Sequence, residues 1–204
     1  MNKIFAFSVA ALVAVGVIIT ALVLTGTLPE PGGQSGRSGV IAGAPQVGGD
    51  FTLVNNKGET VTAEDFKGKL MMVFFGYTFC PDVCPTEMNV FAQVIQSLGD
   101  KADEVTPVFI TVDPERDTPE VLDEFVNSFD PRIVGLTGTN EQIADVKKAY
   151  RAYGQAVNKD DDPDYYLVDH TSFSYLMGRD GKLDTVFSYG TSPEEIIDVI
   201  NEKL

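Results

Sequence analysis

Two apolar runs of strand length, residues 70–77 (LMMVFFGY) and 105–112 (VTPVFITV), bracket a segment of helical periodicity. This arrangement limits the architecture more than any other feature. Near-continuous apolar strands are covered on both faces, which places them inside a sheet flanked by helices. Between them Met88, Phe91, Val94, Ile95 and Leu98 fall on one face of a helix over about residues 86–98. Thr118 followed by Pro119 opens a second helix reaching about Phe129, an N-cap with proline at the first helical position. Asn140 is expected to cap a third helix that continues to about Tyr153, and Ser192-Pro193-Glu194-Glu195 opens a terminal one. Residues 51–54 and 59–61 flank Asn55-Asn56-Lys57-Gly58 and predict a hairpin. Further strands are expected over 133–136, 165–168, 173–177 and 185–188, the last two around the turn Arg179-Asp180-Gly181. Strands alternating with helices define an α/β domain with a mixed sheet. The order strand, cysteines, helix is that of thioredoxin-like domains, whose sites lie at the carboxyl edge of the sheet.

The N-terminus has a different character. Residues 4–24 are apolar, broken only by Ser8, Gly16 and Thr20. At about 1.5 Å per residue the run spans roughly 30 Å, the thickness of a bilayer core. It is longer than the usual apolar region of a signal peptide. Lys3 and the terminal amine precede it, which orients the N-terminus inward and the rest of the chain outward. We therefore expect a single-pass anchor over residues 1–24, with cleavage near Thr25-Gly26-Thr27 as the alternative. A flexible linker over 25–49, rich in Gly, Pro and Ser, and one domain over 50–204 would follow. The domain would lie outside the cytoplasmic membrane, in the periplasm or an equivalent extracytoplasmic space, where disulfides persist.

Charge narrows the partners. The chain carries 15 Lys+Arg against 30 Asp+Glu, a net charge of −15. Such a surface repels phosphate backbones, so nucleic-acid binding is excluded, and it favours metal ions and basic protein faces.

The chemistry concentrates in three residues. Cys80-Pro81-Asp82-Val83-Cys84-Pro85 contains both cysteines of the chain, and His170 is its one histidine. Cys80 falls in the loop after the first buried strand. Cys84 falls at or just before the helix start, with Pro85 suited to the first helical position. A helix N-terminus favours thiolate, which is both the metal ligand and the nucleophile. Two thiolates and an imidazole suit copper: a three-coordinate set holds Cu(I), and a weak fourth ligand or water admits Cu(II). Structural zinc takes four protein ligands and fits less well. The same dithiol also suits disulfide chemistry without a metal, and the residues alone leave both readings open.

Neighbouring residues receive narrower expectations. His170 follows the apolar stretch 165–168 and is expected in a loop at a strand end. Asp169 could orient its imidazole, and Asp82 could tune the charge of a bound copper or contact a partner. Met71, Met72, Met88 and Met177 are expected in the core. Arg116 and Asp117 are expected in helix capping and a local ion pair. Phe74, Phe75, Tyr77 and Phe79 are expected to wall the site. The acidic stretch 160–164 lacks the spacing of a calcium loop and reads as solvated.

Four strings in order resemble one family. Gly76-Tyr77-Thr78-Phe79-Cys80-Pro81-Asp82-Val83-Cys84-Pro85 is similar to the copper-site motif of the Sco/SenC family. Thr111-Val112-Asp113-Pro114-Glu115-Arg116-Asp117-Thr118-Pro119, Val134-Gly135-Leu136-Thr137-Gly138 and Tyr166-Leu167-Val168-Asp169-His170-Thr171 complete the likeness. The resemblance implies a thioredoxin-like fold with an added N-terminal hairpin. It also implies a membrane-tethered copper chaperone that helps build the dinuclear copper centre of cytochrome c oxidase. It assigns the copper ligands to Cys80, Cys84 and His170 and lets the two cysteines cycle between dithiol and disulfide. The implied partners are the copper-bearing subunit of the oxidase, other copper chaperones and thiol–disulfide oxidoreductases. A thiol–disulfide oxidoreductase that reduces partner cysteines, or a redox or copper sensor, stands as the alternative. A peroxidase is a distant third, because Thr78-Phe79-Cys80 is one residue short of the Thr-x-x-Cys pattern.

Overall fold

The structure, a computed structural model, describes residues 46–159, 162 and 165–204. The described residues all belong to the second of the two units into which the chain divides, residues 42–204. The expected anchor over 1–24, most of the linker and nearly all of the acidic stretch 160–164 lie outside the described residues. Among the described residues, no helix is long and apolar enough to cross a membrane.

The two apolar runs are neighbours at the centre of the sheet. Strand β3 (Leu70–Gly76) is buried along its whole length and pairs in parallel with β4 (Val105–Thr111), from Leu70 opposite Val105 to Gly76 opposite Thr111. Strand β5 (Val134–Thr137) extends the parallel set, and β1 (Thr52–Asn55) joins it antiparallel, itself paired with β2 (Thr60–Thr62). On the other flank β8 (Ser174–Met177) runs antiparallel to β3, and β9 (Leu183–Phe187) to β8. The seven strands lie in the order β2-β1-β5-β4-β3-β8-β9, a mixed thioredoxin-like sheet.

Strand alternation divides the core between the two faces. Phe74 packs on its register neighbour Phe109, which meets Phe125 of helix α2 (Pro119–Asn127). Phe75 points the other way, against Tyr150 of α3 (Asn140–Tyr150) and Tyr175 of β8. Such fully buried rings each contribute about 1.5–3 kcal/mol of transfer free energy. Met71, Met72, Met88 and Met177 are all buried and serve as core. Helix α1 (Val83–Ser97) packs along the terminal helix α4 (Pro193–Asn201).

Several boundaries differ from expectation, and those at the start of α1, the end of α3 and the strand that carries His170 shape the site. Helix α1 begins at Val83 rather than Thr86, with Asp82 at its N-cap, so Cys84 and Pro85 both lie in its first turn. Proline is tolerated there because first-turn N–H groups have no partner within the helix. Helix α3 is capped by Thr139, which accepts from the Gln142 N–H, so Asn140 is its first residue. It stops at Tyr150, where Arg151 turns left-handed at φ 56°, freeing the chain for a further strand. That strand, β6 (Gly154–Val157), pairs antiparallel with β7 (Leu167–His170) in a separate two-stranded ribbon. His170 is therefore the last residue of a strand rather than part of a loop.

Candidate metal centre

Strand β3 delivers the chain to the carboxyl edge of the sheet, and the turn after it presents Cys80. The Cys80 N–H donates to the Tyr77 carbonyl at 3.2 Å, closing the turn. Thr78 inside the turn is held by Asp117, whose carboxylate accepts from the Thr78 N–H at 3.1 Å and from its hydroxyl at 2.6 Å. The Asp82 side chain makes no capping bond, and the Asp82 and Cys84 backbone favours the charged form of the Cys80 sulfur.

Cys84 is fully buried, in the first turn of the helix that follows. Its seat depends on Gly76: a Cβ there would lie 2.6 Å from the Cys84 Sγ and 2.8 Å from the Phe109 ring. The β6–β7 ribbon brings in the third residue. Gly154 pairs with His170, and the Thr171 N–H donates to the Tyr153 carbonyl at 3.1 Å just beyond it. Gly154 is needed for the approach, since a Cβ there would lie 2.7 Å from Cβ of Val112. The imidazole sits edge-on to Phe74 and Tyr77, with ring centroids 5.9 and 5.7 Å away. Its Nδ1 lies 2.8 Å from the Thr171 carbonyl, so Nδ1–H donates there and Nε2 is the atom turned to the sulfurs. Nε2 is 3.4 Å from the Cys84 Sγ and 3.9 Å from the Cys80 Sγ.

These distances fit a shared ion. The two sulfurs and Nε2 lie within 4.8 Å of one another. A three-coordinate ion with bonds of about 2.0–2.3 Å separates its donors by roughly 3.5–4.0 Å. Two thiolates with one imidazole are soft and borderline donors, and the set fits copper. Among the described residues this is the one cluster of three or more Cys, His, Asp or Glu that could hold a metal.

The two thiols are electrostatically unlike. A hydrogen bond from the Cys84 thiol, aided by His170 and the helix-end N–H groups, brings Cys80 down to about 3 against the effect of burial. Burial drives Cys84 strongly upward, and its bond to Cys80 and the Cys80 charge add to that. Burial alone would lower the pKa of His170, but the Cys80 thiolate and the Thr171 carbonyl outweigh it and raise the ring. These opposite shifts favour Cys80 over Cys84 as the thiolate of the metal-free pair.

The remaining expected residues divide. Asp169 is exposed, next to His170 on a strand and so on the opposite face; the acceptor that orients the ring is the Thr171 carbonyl. Asp82 is exposed at the helix N-cap. Arg116 forms the expected ion pair, with Asp113 at 2.5 Å, and lies over the Tyr166 ring at 3.6 Å and the Phe79 ring at 4.9 Å. Asp117 caps no helix; Thr118 does. Phe74 and Tyr77 wall the imidazole, Phe75 belongs to the far face, and Phe79 is 55% exposed over Arg116. Gly76 and Gly154 were not anticipated, and Asp117, expected in a cap or an ion pair, instead holds Thr78 of the cysteine turn. A glycine inside an otherwise apolar strand, as Gly76 is, was a legible sign of close approach.

A thioredoxin-like α/β domain with a Cys–Cys–His ligand cluster at the carboxyl edge of its sheet is a defined class of metal-binding protein. The SCO1/SenC family profile matches residues 40–204, and the chain belongs to that family. An SCO2-like protein of Rickettsia felis is 38% identical over 186 residues, covering 91% of this chain and 90% of the relative. The copper-bound structure of ScoI from Bradyrhizobium japonicum shares 42% identity, covering 78% of this chain and 99% of that one, with a TM-score of 0.72. BsSco, a member of the Sco family of cytochrome c oxidase assembly proteins in which a disulfide switch was identified, shares 25% identity. That match covers 78% of this chain and 94% of BsSco, with a TM-score of 0.64.

Proposed function

We propose that this protein is a membrane-anchored copper metallochaperone whose ligands are Cys80, Cys84 and His170. The observation that carries the reading is the convergence of the two sulfurs and Nε2 within 4.8 Å. Cys80, already a thiolate, is the entry ligand. Cys84 yields its proton as it binds, and His170 Nε2 completes the set while Thr171 holds Nδ1. A partner's thiolates then displace these ligands one at a time, so copper is cargo and never free. The receiving partner is the copper-bearing subunit of cytochrome c oxidase, a role supported by the family and by the assembly function ascribed to BsSco. Other copper chaperones and thiol–disulfide oxidoreductases would load and reduce the site. The apolar run 4–24 anchors the chain in the cytoplasmic membrane, residues 25–49 tether it, and the domain over 50–204 works in the extracytoplasmic space.

The test is an anaerobic copper titration of the full-length protein, first reduced and then oxidised to the Cys80–Cys84 disulfide. Tight stoichiometric binding in the reduced protein, lost in the disulfide form, is expected. Equal binding in both forms would sink the reading.

The asymmetry of the thiols favours a second reading, a thiol–disulfide reductase. Cys80 would attack a partner disulfide as thiolate, and Cys84 would resolve the mixed disulfide. Metal-free reduction of a partner disulfide that survives His170→Ala would favour it over copper delivery.

A further inference from the structure

The ribbon that carries His170 is separate from the seven-stranded sheet. Two strands alone are marginally stable in water, so the place of the imidazole depends on what fastens the ribbon to the body of the domain. At the approach to β7 that fastening is Arg116, on the connection between β4 and α2. Its Nε donates to Asp113 at 2.5 Å and its Nη1 to the Tyr166 carbonyl at 3.0 Å. Asp113 also accepts from the Tyr166 hydroxyl at 2.8 Å, which closes a ring of bonds through the three residues. The guanidinium carbon lies 3.6 Å from the Tyr166 ring centroid on the ribbon side. On the side of the cysteine turn it lies 4.9 Å from the Phe79 centroid and 5.7 Å from that of Tyr77. Nη2 is buried and has no hydrogen-bond partner among the described residues, so the fit of the group depends on the rings around it. Tyr77 itself packs edge-on to the imidazole. One side chain thus meets both the residue that leads into β7 and the turn that presents Cys80.

We propose that Arg116 is a positioning residue: its guanidinium fastens the His170 ribbon to the cysteine turn and so keeps the imidazole beside the two sulfurs. The fastening stands on protein contacts alone, and only its consequence for copper rests on the copper reading. A lysine could reach one of these partners, but it offers neither the planar fork nor the flat face that meets the rings. Both cysteines belong to one continuous turn and helix end, so a loosened ribbon withdraws the nitrogen and leaves the sulfurs together. Cu(I) is satisfied by two thiolates, whereas Cu(II) gains more from the imidazole.

The experiment compares the full-length protein with Arg116→Lys and Arg116→Met. Arg116→Lys keeps the charge and the aliphatic stem, so it carries the test if Arg116→Met does not fold. The first arm is amide hydrogen exchange of the reduced, metal-free protein. Peptides from β7 should exchange about tenfold faster or more in both variants, with β3 and β4 within about twofold of the parent, the pattern of a local opening. Unchanged exchange in β7 would overturn the proposal, and so would equal acceleration of β3 and β4, which marks a general loss of stability. The second arm measures copper affinities. Cu(II) affinity should fall about tenfold or more and Cu(I) affinity by less than about threefold, the size expected for a group that orients a ligand. Equal losses for both ions would overturn the positioning of His170, as would parent-like values for both. A parent protein that binds neither ion would defeat the chaperone reading, while the exchange arm would still decide whether Arg116 holds the ribbon.

Discussion

The sulfur of Cys84 occupies the space that a side chain at Gly76 would fill: a Cβ built there would stand 2.6 Å from it. The strand that forms the centre of the sheet thus also shapes the floor of the metal site. Its last residue is glycine because the helix end carrying Cys84 packs directly upon it.

Gly76→Ala should therefore act on the site before it acts on the fold. Overpacking of this kind costs about 1–3 kcal/mol of stability. The domain should remain folded by circular dichroism, with a lowered urea midpoint. Copper affinity should fall at least tenfold, because either Cys84 or the Phe109 ring must move. Parent-like copper affinity in a destabilised variant would show that the sulfur does not need this seat.

The unequal thiols make a prediction about pH. With Cys80 held near 3, its thiolate persists through the neutral and mildly acid range. Alkylation of the reduced, metal-free protein should modify Cys80 at a rate that hardly changes between about pH 8 and pH 5, whereas an ordinary thiol of pKa about 8.5 slows roughly tenfold per unit. Cys84, pushed upward by burial, should stay unmodified. The linkage sign follows from the depressed folded pKa. Stability from the Cys80 thiolate is fully present above the unfolded thiol value and is lost as pH falls toward about 3. Mass mapping of the modified cysteine at each pH decides the matter.

Glu87 carries the opposite sign. It is buried on α1, one turn beyond Cys84, with the Ser174 hydroxyl donating to it. Burial raises its pKa and the Ser174 bond lowers it, with burial the larger effect. A carboxyl whose folded pKa is raised contributes stability below the unfolded value, near 4.5, that is lost as pH rises through the folded value. Glu87→Gln keeps the shape and removes the titration. Its urea midpoint should vary less with pH above about 4.5 than the parent's, and the two should diverge most at neutral pH. Parallel profiles would show that the burial of Glu87 is fully compensated.

Much of this organisation was legible in the sequence, for reasons that differ by element. Strands β3 and β4 and helix α1 declared themselves because continuous apolar runs and a 3.6-residue period report burial directly. Strand β6 did not: Gly154-Gln155-Ala156-Val157 ends in its one β-branched residue and is at most half-buried beside a single partner strand, so no pattern marks it. The start of α1 was placed late because Pro85 reads as a first helical residue, although the whole first turn tolerates proline. Cys80, Cys84 and His170 were found by rarity and motif. Their supports were not, because Asp117, the Thr171 carbonyl and Gly154 act through contacts distant in sequence or through backbone, where side-chain identity carries little signal.

The orientation of His170 leads to the last prediction. With Nδ1–H given to the Thr171 carbonyl, Nε2 is the one nitrogen available to an ion held between the sulfurs. Soft Cu(I) is satisfied by two thiolates, whereas Cu(II) gains more from an imidazole nitrogen. His170→Ala should therefore weaken Cu(II) binding more than about a hundredfold while changing Cu(I) affinity by less than about tenfold, a separation set by ligand type. Competition titrations against chelators specific for each oxidation state measure the two affinities, and the Cu(II)–thiolate absorption band should be lost or displaced in the same variant. Equal losses for both ions would mean that His170 positions the sulfurs rather than selecting between the two copper states, and unchanged Cu(II) affinity would remove it from the ligand set.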